Sequence, residues 1–302
     1  MLKKITLIFL LIPVIIFTQT TELEDKLKKK KKDIPMGLTR GGVITTNLSQ
    51  TSLDNWASGG NNSLAINGII NLFLNYRQEK SIWNNTADIG YGILKQGKDA
   101  DFTKTDDRVE LNSKYGYRAH ENWYYSGMMN FVTQMANGFD YVNDTSKISA
   151  PFAPAYLTGA IGMDYQENDT YSIFLSPLTT KMTFVLDDDL SEQGEFGVEK
   201  GSKFRMEVGG YLKTNLRREI FKNVIINSNL SIFSNYIDKP QNIDIDWKIL
   251  LTMKVNQYIS TNITTHMIYD DDITIVDEET GEKNGPALQL KEVIGVGISY
   301  SF

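Results

Sequence analysis

The sequence predicts an all-β protein, a transmembrane antiparallel up-and-down β-barrel of about 12 strands. Apolar and polar residues alternate over stretches of ten or more residues in most of the chain. The connections between these stretches are alternately short and long, and the chain ends on an alternating apolar segment. Helical spacing of apolar residues is hard to find beyond the first 41 residues, so the period of two decides the fold class.

Composition excludes several classes of function. The 302 residues include no cysteine and two histidines, His120 and His266. A disulfide framework and a thiolate metal site are therefore impossible, and a multi-histidine metal centre is disfavoured. The formal net charge of -6 argues against a nucleic-acid groove. We expect no cofactor and no nucleic-acid partner.

The N-terminus predicts export. Lys3 and Lys4 precede an apolar run at 5–17, which has the length of a signal-peptide core and is too short to span a bilayer. We expect a signal peptide at 1–19. Five adjacent lysines at 28–32 repel one another and bury nothing, so 20–40 is predicted to be a charged periplasmic tail. The barrel is expected over 41–302.

Strand length separates a membrane barrel from a soluble sheet with one wet face. Every second residue from Ile243 to Val255 is apolar, and Asp244, Asp246 and Lys248 lie between them. Strands of soluble proteins usually run about 5 to 6 residues, whereas a tilted membrane strand needs about 9 to 11. Aromatic residues near the predicted strand ends favour an interfacial girdle: Tyr76, Trp83, Trp123, Tyr171, Tyr236, Tyr269 and Tyr300.

The connections give an independent test of the topology. The predicted strands are 42–50, 63–77, 82–95, 105–119, 122–136, 154–167, 170–184, 202–217, 222–237, 242–255, 257–270 and 288–302. With the first strand running outward, all the periplasmic connections are short. The connections at 51–62, 96–104, 137–153, 185–201 and 271–287 lie outside and are long, and 238–241 is the single short connection on that side. This asymmetry is typical of bacterial barrels and places both termini in the periplasm.

The last predicted strand resembles the C-terminal insertion signal that the barrel-assembly machinery reads. Apolar residues occupy alternate positions and the chain stops on an aromatic residue: Ile294, Val296, Ile298, Tyr300 and Phe302. Gly295, Gly297, Ser299 and Ser301 face the other way and are small. The resemblance implies the barrel-assembly machinery as a partner during insertion.

Charged residues at the interleaved positions predict the lumen. Thirteen of them point the same way, with the two signs nearly balanced: Arg77, Asp88, Arg108, Glu110, Lys114, Arg118, Asp164, Arg205, Glu207, Lys213, Asp244, Asp246 and Lys248. Desolvated charges persist only when they are paired or hydrated. We therefore predict a narrow, polar, partly plugged interior crossed by ion pairs, without strong preference for anions or cations.

Other candidate sites are weaker. The carboxylate groups at 187–189 and 270–272 lie in outer loops and are candidate calcium ligands, although solvated loop acids are the simpler interpretation. Trp56 beside Gly59 and Gly60 indicates a tight turn whose tryptophan packs on the rim or in the mouth of the lumen. His266 is assigned to the lumen and His120 to a periplasmic turn, and neither has a local motif that places a serine and an acid beside it. We expect no enzyme activity and no catalytic residue.

Several segments resemble an uncharacterised family of Bacteroidota outer-membrane proteins, a domain of unknown function. They are residues 56–63, 111–116, 152–157, 173–179, 241–244 and 269–272. The resemblance implies an outer-membrane barrel but carries over no chemistry.

The predicted function is that of an outer-membrane β-barrel with a narrow polar lumen, acting as a channel for small solutes or as a barrel scaffold. The alternative is a non-enzymatic accessory subunit of an outer-membrane assembly or secretion complex. A soluble lipocalin-like binder is a third possibility. The expected partners are outer-membrane lipid, lipopolysaccharide and an envelope protein complex.

Overall fold

A computed structural model describes the chain over residues 36–53, 61–97, 100–139, 146–167, 170–256, 259–271 and 285–301. Several predictions concern residues outside these ranges: the signal peptide, most of the charged tail, Trp56, Gly59, Gly60, Asp272 and Phe302. Within the described ranges, no helix is both long enough and apolar enough to cross a membrane.

Twelve strands close into one antiparallel barrel, as the alternation predicts. They are β1 (Gly37–Thr51), β2 (Ser63–Arg77), β3 (Ser81–Gln96), β4 (Thr103–His120), β5 (Trp123–Thr133), β8 (Ala155–Glu167), β9 (Tyr171–Phe184), β10 (Phe204–Phe221), β11 (Val224–Asn235), β12 (Ile243–Lys254), β13 (Ile259–Tyr269) and β14 (Gln289–Ser301). Each barrel strand pairs with the next barrel strand along the chain, so that β5 pairs with β8, and β1 pairs with β14 to close the ring.

The two ends of the barrel differ. The terminal end, where β1 begins and β14 ends, has tight turns such as 78–80, 121–122 and 222–223. The opposite end, called the loop end, has the longer connections, including 134–154 and 185–203. These connections contain short elements that alternation does not reveal: the two-stranded sheet of β6 (Gly138–Phe139) and β7 (Lys147–Ser149), and helix α1 (Asp188–Gln193). Strand β1 begins at Gly37, within the segment predicted as tail.

The outer wall is apolar. Large apolar side chains lie exposed on the outward positions of eleven of the twelve barrel strands, all except β11, and include Ile161, Leu175, Met206 and Ile294, the last 69% exposed. In the part of the chain that the structure describes, no second sheet and no helix covers them. Monomeric soluble proteins rarely expose so large a contiguous apolar surface. The barrel is therefore a transmembrane one, because only a closed ring pairs the backbone of strands that cross a bilayer.

One β-bulge changes which residues of β9 face the lumen. Strand β8 pairs Ile161 with Leu178 and then Met163 with Leu175, so β9 contains one extra residue at this point. The Oγ atom of Ser176 lies 2.8 Å from the carbonyl oxygens of both Ile161 and Leu178 and completes the local pairing. Inward positions of β9 are even-numbered before the bulge and odd-numbered after it.

Candidate functional site

The inward positions of the barrel carry the charged residues. All thirteen residues predicted for the lumen stand at inward register positions, since they pair laterally with other inward residues, as Asp88 does with Glu110, or contact residues across the barrel. The structure gathers twelve of them into three groups along the barrel axis. Arg77 lies apart from these groups, at the terminal end beside Gln78.

The central group, called the luminal belt, joins opposite sides of the barrel wall. It consists of Asp88, Arg108, Glu110, Lys213, Asp246 and Lys248. The guanidinium of Arg108 on β4 donates to Oε2 of Glu110 from Nε at 3.1 Å and from Nη2 at 2.9 Å. The same Nη2 lies 3.7 Å from Oδ2 of Asp246 on β12. In the closed strand order β4 and β12 are six places apart in a ring of twelve, so this contact crosses the lumen. Asp246 in turn lies 2.9 Å from Nε2 of His266.

Amide side chains extend the luminal belt to a third wall. Lys213 on β10 donates from Nζ to Oδ1 of Asn112 on β4 at 3.0 Å. Asn112 and Asn130 each donate to Oε1 of Glu110 at 3.1 Å, which satisfies the second carboxylate oxygen. Asp88 accepts a hydrogen bond from Asn71. Lys248 is assigned to the luminal belt by its register, because it pairs with His266 on β13.

The group nearest the terminal end is more enclosed. The side chain of Asp164 is 1% exposed and accepts hydrogen bonds from Lys114 Nζ at 2.8 Å and Gln166 Nε2 at 2.7 Å. The Lys114 ammonium also lies 6.0 Å from the centroid of the Phe174 ring, within reach of a cation–π interaction. Arg118 lies over the ring of Tyr124, on the inner wall.

The group nearest the loop end connects the lumen to a loop. Lys181 donates to Asp244 at 2.8 Å and to Asp270 at 3.2 Å. Arg205 bonds Glu207 at 3.1 Å and also donates to the carbonyl oxygen of Gly197 at 3.1 Å. Because Gly197 belongs to the connection between β9 and β10, a luminal arginine anchors that connection over the barrel.

The luminal residues that were absent from the predicted set include Lys181, Asp106 and Lys291. Lys181 is displaced to the inner wall by the bulge in β9, and a strict alternation read along the strand does not show this. Asp106 and Lys291 could have been predicted from the sequence, because each occupies an alternate position in register with the inward residues of its strand. The two side chains form an ion pair across the lumen.

A small structured unit caps the loop end. Its apolar centre contains Ala150, Ala153, Val185, Leu190 and Val198, so β7, α1 and their flanking residues pack together. We call this unit the loop platform.

One lysine links the halves of the loop platform. Lys147 on β7 donates to Asp187 at 2.6 Å and to Asp189 at 2.8 Å. These hydrogen bonds raise the pKa of the Lys147 ammonium. Burial favours a raised pKa for the Asp187 carboxyl, but its hydrogen bonds with Lys147 and the Leu190 amide outweigh burial, and the pKa is below its usual value. Asp187 is also the N-cap of α1.

The aspartates at 187–189 bind lysines in this structure. Asp187 and Asp189 hold Lys147, while Asp188 lies within ion-pair distance of Lys203. In the described ranges no group of three or more histidine or acidic side chains has the spacing to hold a metal ion. The carboxylates therefore stabilise the loop platform, and calcium binding at this loop stays an untested prediction.

Together, the closed ladder, the apolar outer wall and the charged inner wall define a transmembrane β-barrel with a polar lumen. A family model described as "Protein of unknown function (DUF3078)" matches residues 48–139, from the end of β1 to β6. This partial match agrees with the predicted resemblance to a domain of unknown function. No curated protein matches the sequence significantly.

Solved barrels resemble the chain loosely. An outer membrane channel from Pseudomonas putida F1 aligns with 89% of this chain and 97% of its own, at 13% identity and a TM-score of 0.41. The translocator domain of autotransporter NalP from Neisseria meningitidis aligns with 93% of this chain and 95% of its own, at 10% identity and a TM-score of 0.36.

Proposed function

We propose that the protein is a bacterial outer-membrane β-barrel that conducts small solutes through a narrow lumen, limited in width by the luminal belt. The observation that carries the proposal is the contact of Arg108 with Asp246 across the barrel. The Asp246 side chain is 40% exposed although it lies on the inner wall at this crossing, so water reaches the level at which the two walls meet. A lumen sealed for stability alone would be better filled with apolar side chains.

Charge balance supports weak ion selectivity. The luminal belt holds Arg108, Lys213 and Lys248 against Asp88, Glu110 and Asp246, three formal charges of each sign. Neither anions nor cations meet a ring of side chains that all carry the same charge, the arrangement that makes pores ion-selective. Small neutral or zwitterionic solutes would experience the same balanced field.

Single-channel recording in planar bilayers tests the proposal. We expect discrete conductance steps from the purified, folded protein, and larger steps from the double variant Arg108→Ala, Asp246→Ala, because that pair narrows the lumen. The matched control is Asp188→Ala, Lys203→Ala, which removes an ion pair of the loop platform without changing net charge or luminal width. A folded barrel without conductance in either the native or the Arg108 and Asp246 variant form would refute the channel.

The loop platform favours a second candidate function, a non-enzymatic accessory subunit of an envelope complex. A packed, exposed unit at one end of the barrel offers a binding surface that a simple channel does not need. Under this proposal the native protein, extracted in mild detergent, co-purifies with a stoichiometric envelope partner. Replacing 188–197 by a short glycine-serine loop would then remove the partner and leave the barrel folded. Recovery of the native protein as a lone monomer would contradict the accessory role.

Outer-membrane lipid, lipopolysaccharide and the barrel-assembly machinery are the proposed surroundings of the protein. The apolar outward residues of β14, with Ile294, Val296 and Ile298 all exposed, support an insertion signal at this strand.

A further inference from the structure

The ladder that closes the barrel is short. Among the described residues, β1 pairs with β14 at five positions, from Val43 with Ser301 to Asn47 with Gly297. By comparison, β1 pairs with β2 along its entire length, from Gly37 with Arg77 to Thr51 with Ser63.

Beyond Asn47 and Gly297 both strands continue towards the loop end without pairing to each other. Residues 48–51 of β1 remain paired with β2, and residues 293–296 of β14 remain paired with β13. The usual stagger between two strands leaves one strand longer than its neighbour. Here both strands extend beyond the last pair, and their edges face each other without pairing. We call this gap the seam, and at four residues of strand its length is about 13 Å.

Unpaired strand edges are costly in hydrocarbon, because no water is present to bond the backbone groups. Among the described residues nothing pairs with the two edges of the seam, so the seam can take an occupant that brings polar groups to the wall. Its outer lips are apolar, since Leu48, Ile294 and Val296 are 59%, 69% and 61% exposed. Its inner side carries small residues, Ser49 and Gly295. Such a site suits a molecule with a polar head towards the lumen and an apolar tail in the bilayer.

Two buried amide oxygens indicate the chemistry of the polar head. Asn47 is 9% exposed, and its side chain lies against the backbone of Gly295 and Gly297 at the closed edge of the seam. Asn67 pairs with Asn47 on the adjacent strand and donates from Nδ2 to Asp106 at 3.4 Å. The Oδ1 atoms of both asparagines are buried without a hydrogen-bond donor in the described structure.

Buried acceptors without donors are uncommon in native proteins, and each calls for a partner. Two neighbouring amide oxygens accept hydrogen bonds from N–H or O–H groups and offer nothing to a head that lacks donors. Asp106 lies beside them, and its ion pair with Lys291 leaves that carboxylate partly exposed to the lumen. An ammonium or hydroxyl group would supply the donors that the two amide oxygens lack.

We propose that the seam is a lateral lipid site, at which an amphiphile places an amine- or hydroxyl-bearing head against Asn47 and Asn67 while its tail lies along Leu48, Ile294 and Val296. The inference rests on the proposed membrane location but not on conductance. The seam thereby connects the lumen with the lipid phase, a route that the luminal belt does not provide.

Lipid binding by the full-length protein in detergent tests the head chemistry without any substitution. The probes are phosphatidylethanolamine and phosphatidylcholine with the same fluorescent acyl chain, followed by fluorescence anisotropy. The first has N–H donors on its head and the second has none. We expect saturable binding of phosphatidylethanolamine and about tenfold weaker binding of phosphatidylcholine, since hydrogen bonds from a charged donor are lost. Equal affinities would overturn the assigned head chemistry.

A covalent lock tests the place of binding. The natural chain has no cysteine, so the pair Leu48→Cys, Val296→Cys can be bridged with a short bismaleimide without side reactions. The matched control is Thr46→Cys, Ile298→Cys, where the two strands are already paired. We expect the lock at the seam to abolish phosphatidylethanolamine binding and the control lock to preserve it. Unchanged binding after both locks would overturn the seam as the site.

Conductance of the same locked proteins separates this proposal from the proposed function. Because the lock joins β1 to β14 and replaces no residue of the luminal belt, we expect locking to leave ion conductance unchanged. A barrel that conducts but does not bind the lipid overturns the lipid site alone. A barrel that binds the lipid but never conducts overturns the channel alone.

Discussion

Arg108 and Asp246 reach towards each other across the lumen from strands on opposite sides of the barrel, with 3.7 Å between nitrogen and oxygen. The contact connects the two halves of the wall that are farthest apart in strand order. It also holds an acid and a base in partly exposed positions, where water weakens their attraction. The pair therefore affects the width and the local field of the lumen more than the stability of the fold.

Removing one partner of this pair is expected to create ion selectivity. Arg108→Ala removes the guanidinium that contacts both Glu110 and Asp246, so the belt becomes negative and favours cations. One unbalanced charge at about 4 Å in water changes ion energy by about 1 kcal/mol, which corresponds to a permeability ratio of about five. Reversal potentials in asymmetric potassium chloride measure this ratio, and Asp246→Asn should shift it the opposite way. Lys203→Ala, at the loop platform, serves as the control and should leave the ratio unchanged.

Breaking the Lys114–Asp164 pair is expected to destabilise the barrel strongly. Asp164→Ala leaves an ammonium without its carboxylate in an enclosed part of the lumen, and such changes cost about 3 to 5 kcal/mol. Asp188→Ala removes the exposed partner of Lys203 and should cost less than about 1 kcal/mol. Urea unfolding in detergent micelles, followed by tryptophan fluorescence, gives both free energies of unfolding. Equal losses in the two variants would contradict the difference in burial.

Two glycines of β8 are expected to differ sharply in their tolerance of a side chain. A Cβ at Gly162 would lie 2.0 Å from the carbonyl oxygen of Leu175, where the bulge brings β9 close. At Gly159 no atom lies within 4 Å of the same position. Gly162→Ala should therefore cost at least about 2 kcal/mol through overpacking, and Gly159→Ala should cost little. The heat-modifiable band of the folded barrel on gels reports the outcome. If Gly162→Ala folded as well as Gly159→Ala, the close approach at the bulge would be wrong.

The loop platform is expected to loosen at both extremes of pH. The pKa of Asp187 is lowered, so its contribution is complete above the ordinary aspartate pKa and is lost as pH falls through the lowered value. The pKa of Lys147 is raised, so its contribution is complete below the ordinary lysine pKa and is lost as pH rises through the raised value. A spin label at Glu195→Cys should be immobile between these limits and mobile beyond them. With Lys147→Ala, the label should be mobile throughout. If the mobility of the label in the native platform did not change with pH, the role of the Lys147–Asp187 pair would be contradicted.

The strand pattern was predictable because a membrane barrel imposes one rule on every strand. Each outward residue meets hydrocarbon and each inward residue meets water, so Ile243 to Val255 and Leu64 to Tyr76 show the alternation without knowledge of their neighbours. The same rule identified Arg108, Glu110 and Asp246 as inward residues. The rule could not predict which of these residues contact each other, because the distance between β4 and β12 in space is unrelated to their separation along the chain.

Departures from strict alternation were not predictable from the sequence. The bulge at Ser176 turns Lys181 inward, and it depends on hydrogen bonds to residues of both β8 and β9. The loop platform forms because Val185 and Leu190 pack against Ala150 and Ala153, which belong to a different connection. Neither feature has a periodic signature, because each arises from contacts between segments that are separate in sequence.

The sequence by itself determined the fold class, the strand order and the face of each regular strand, because solvent contact acts on each residue individually and period two records it. Only the tertiary structure decided which charges meet across the lumen, which residues the bulge reverses, and where β1 and β14 part to leave a seam. These depend on the curvature and closure of the sheet, which bring distant strands together through the combined geometry of all twelve.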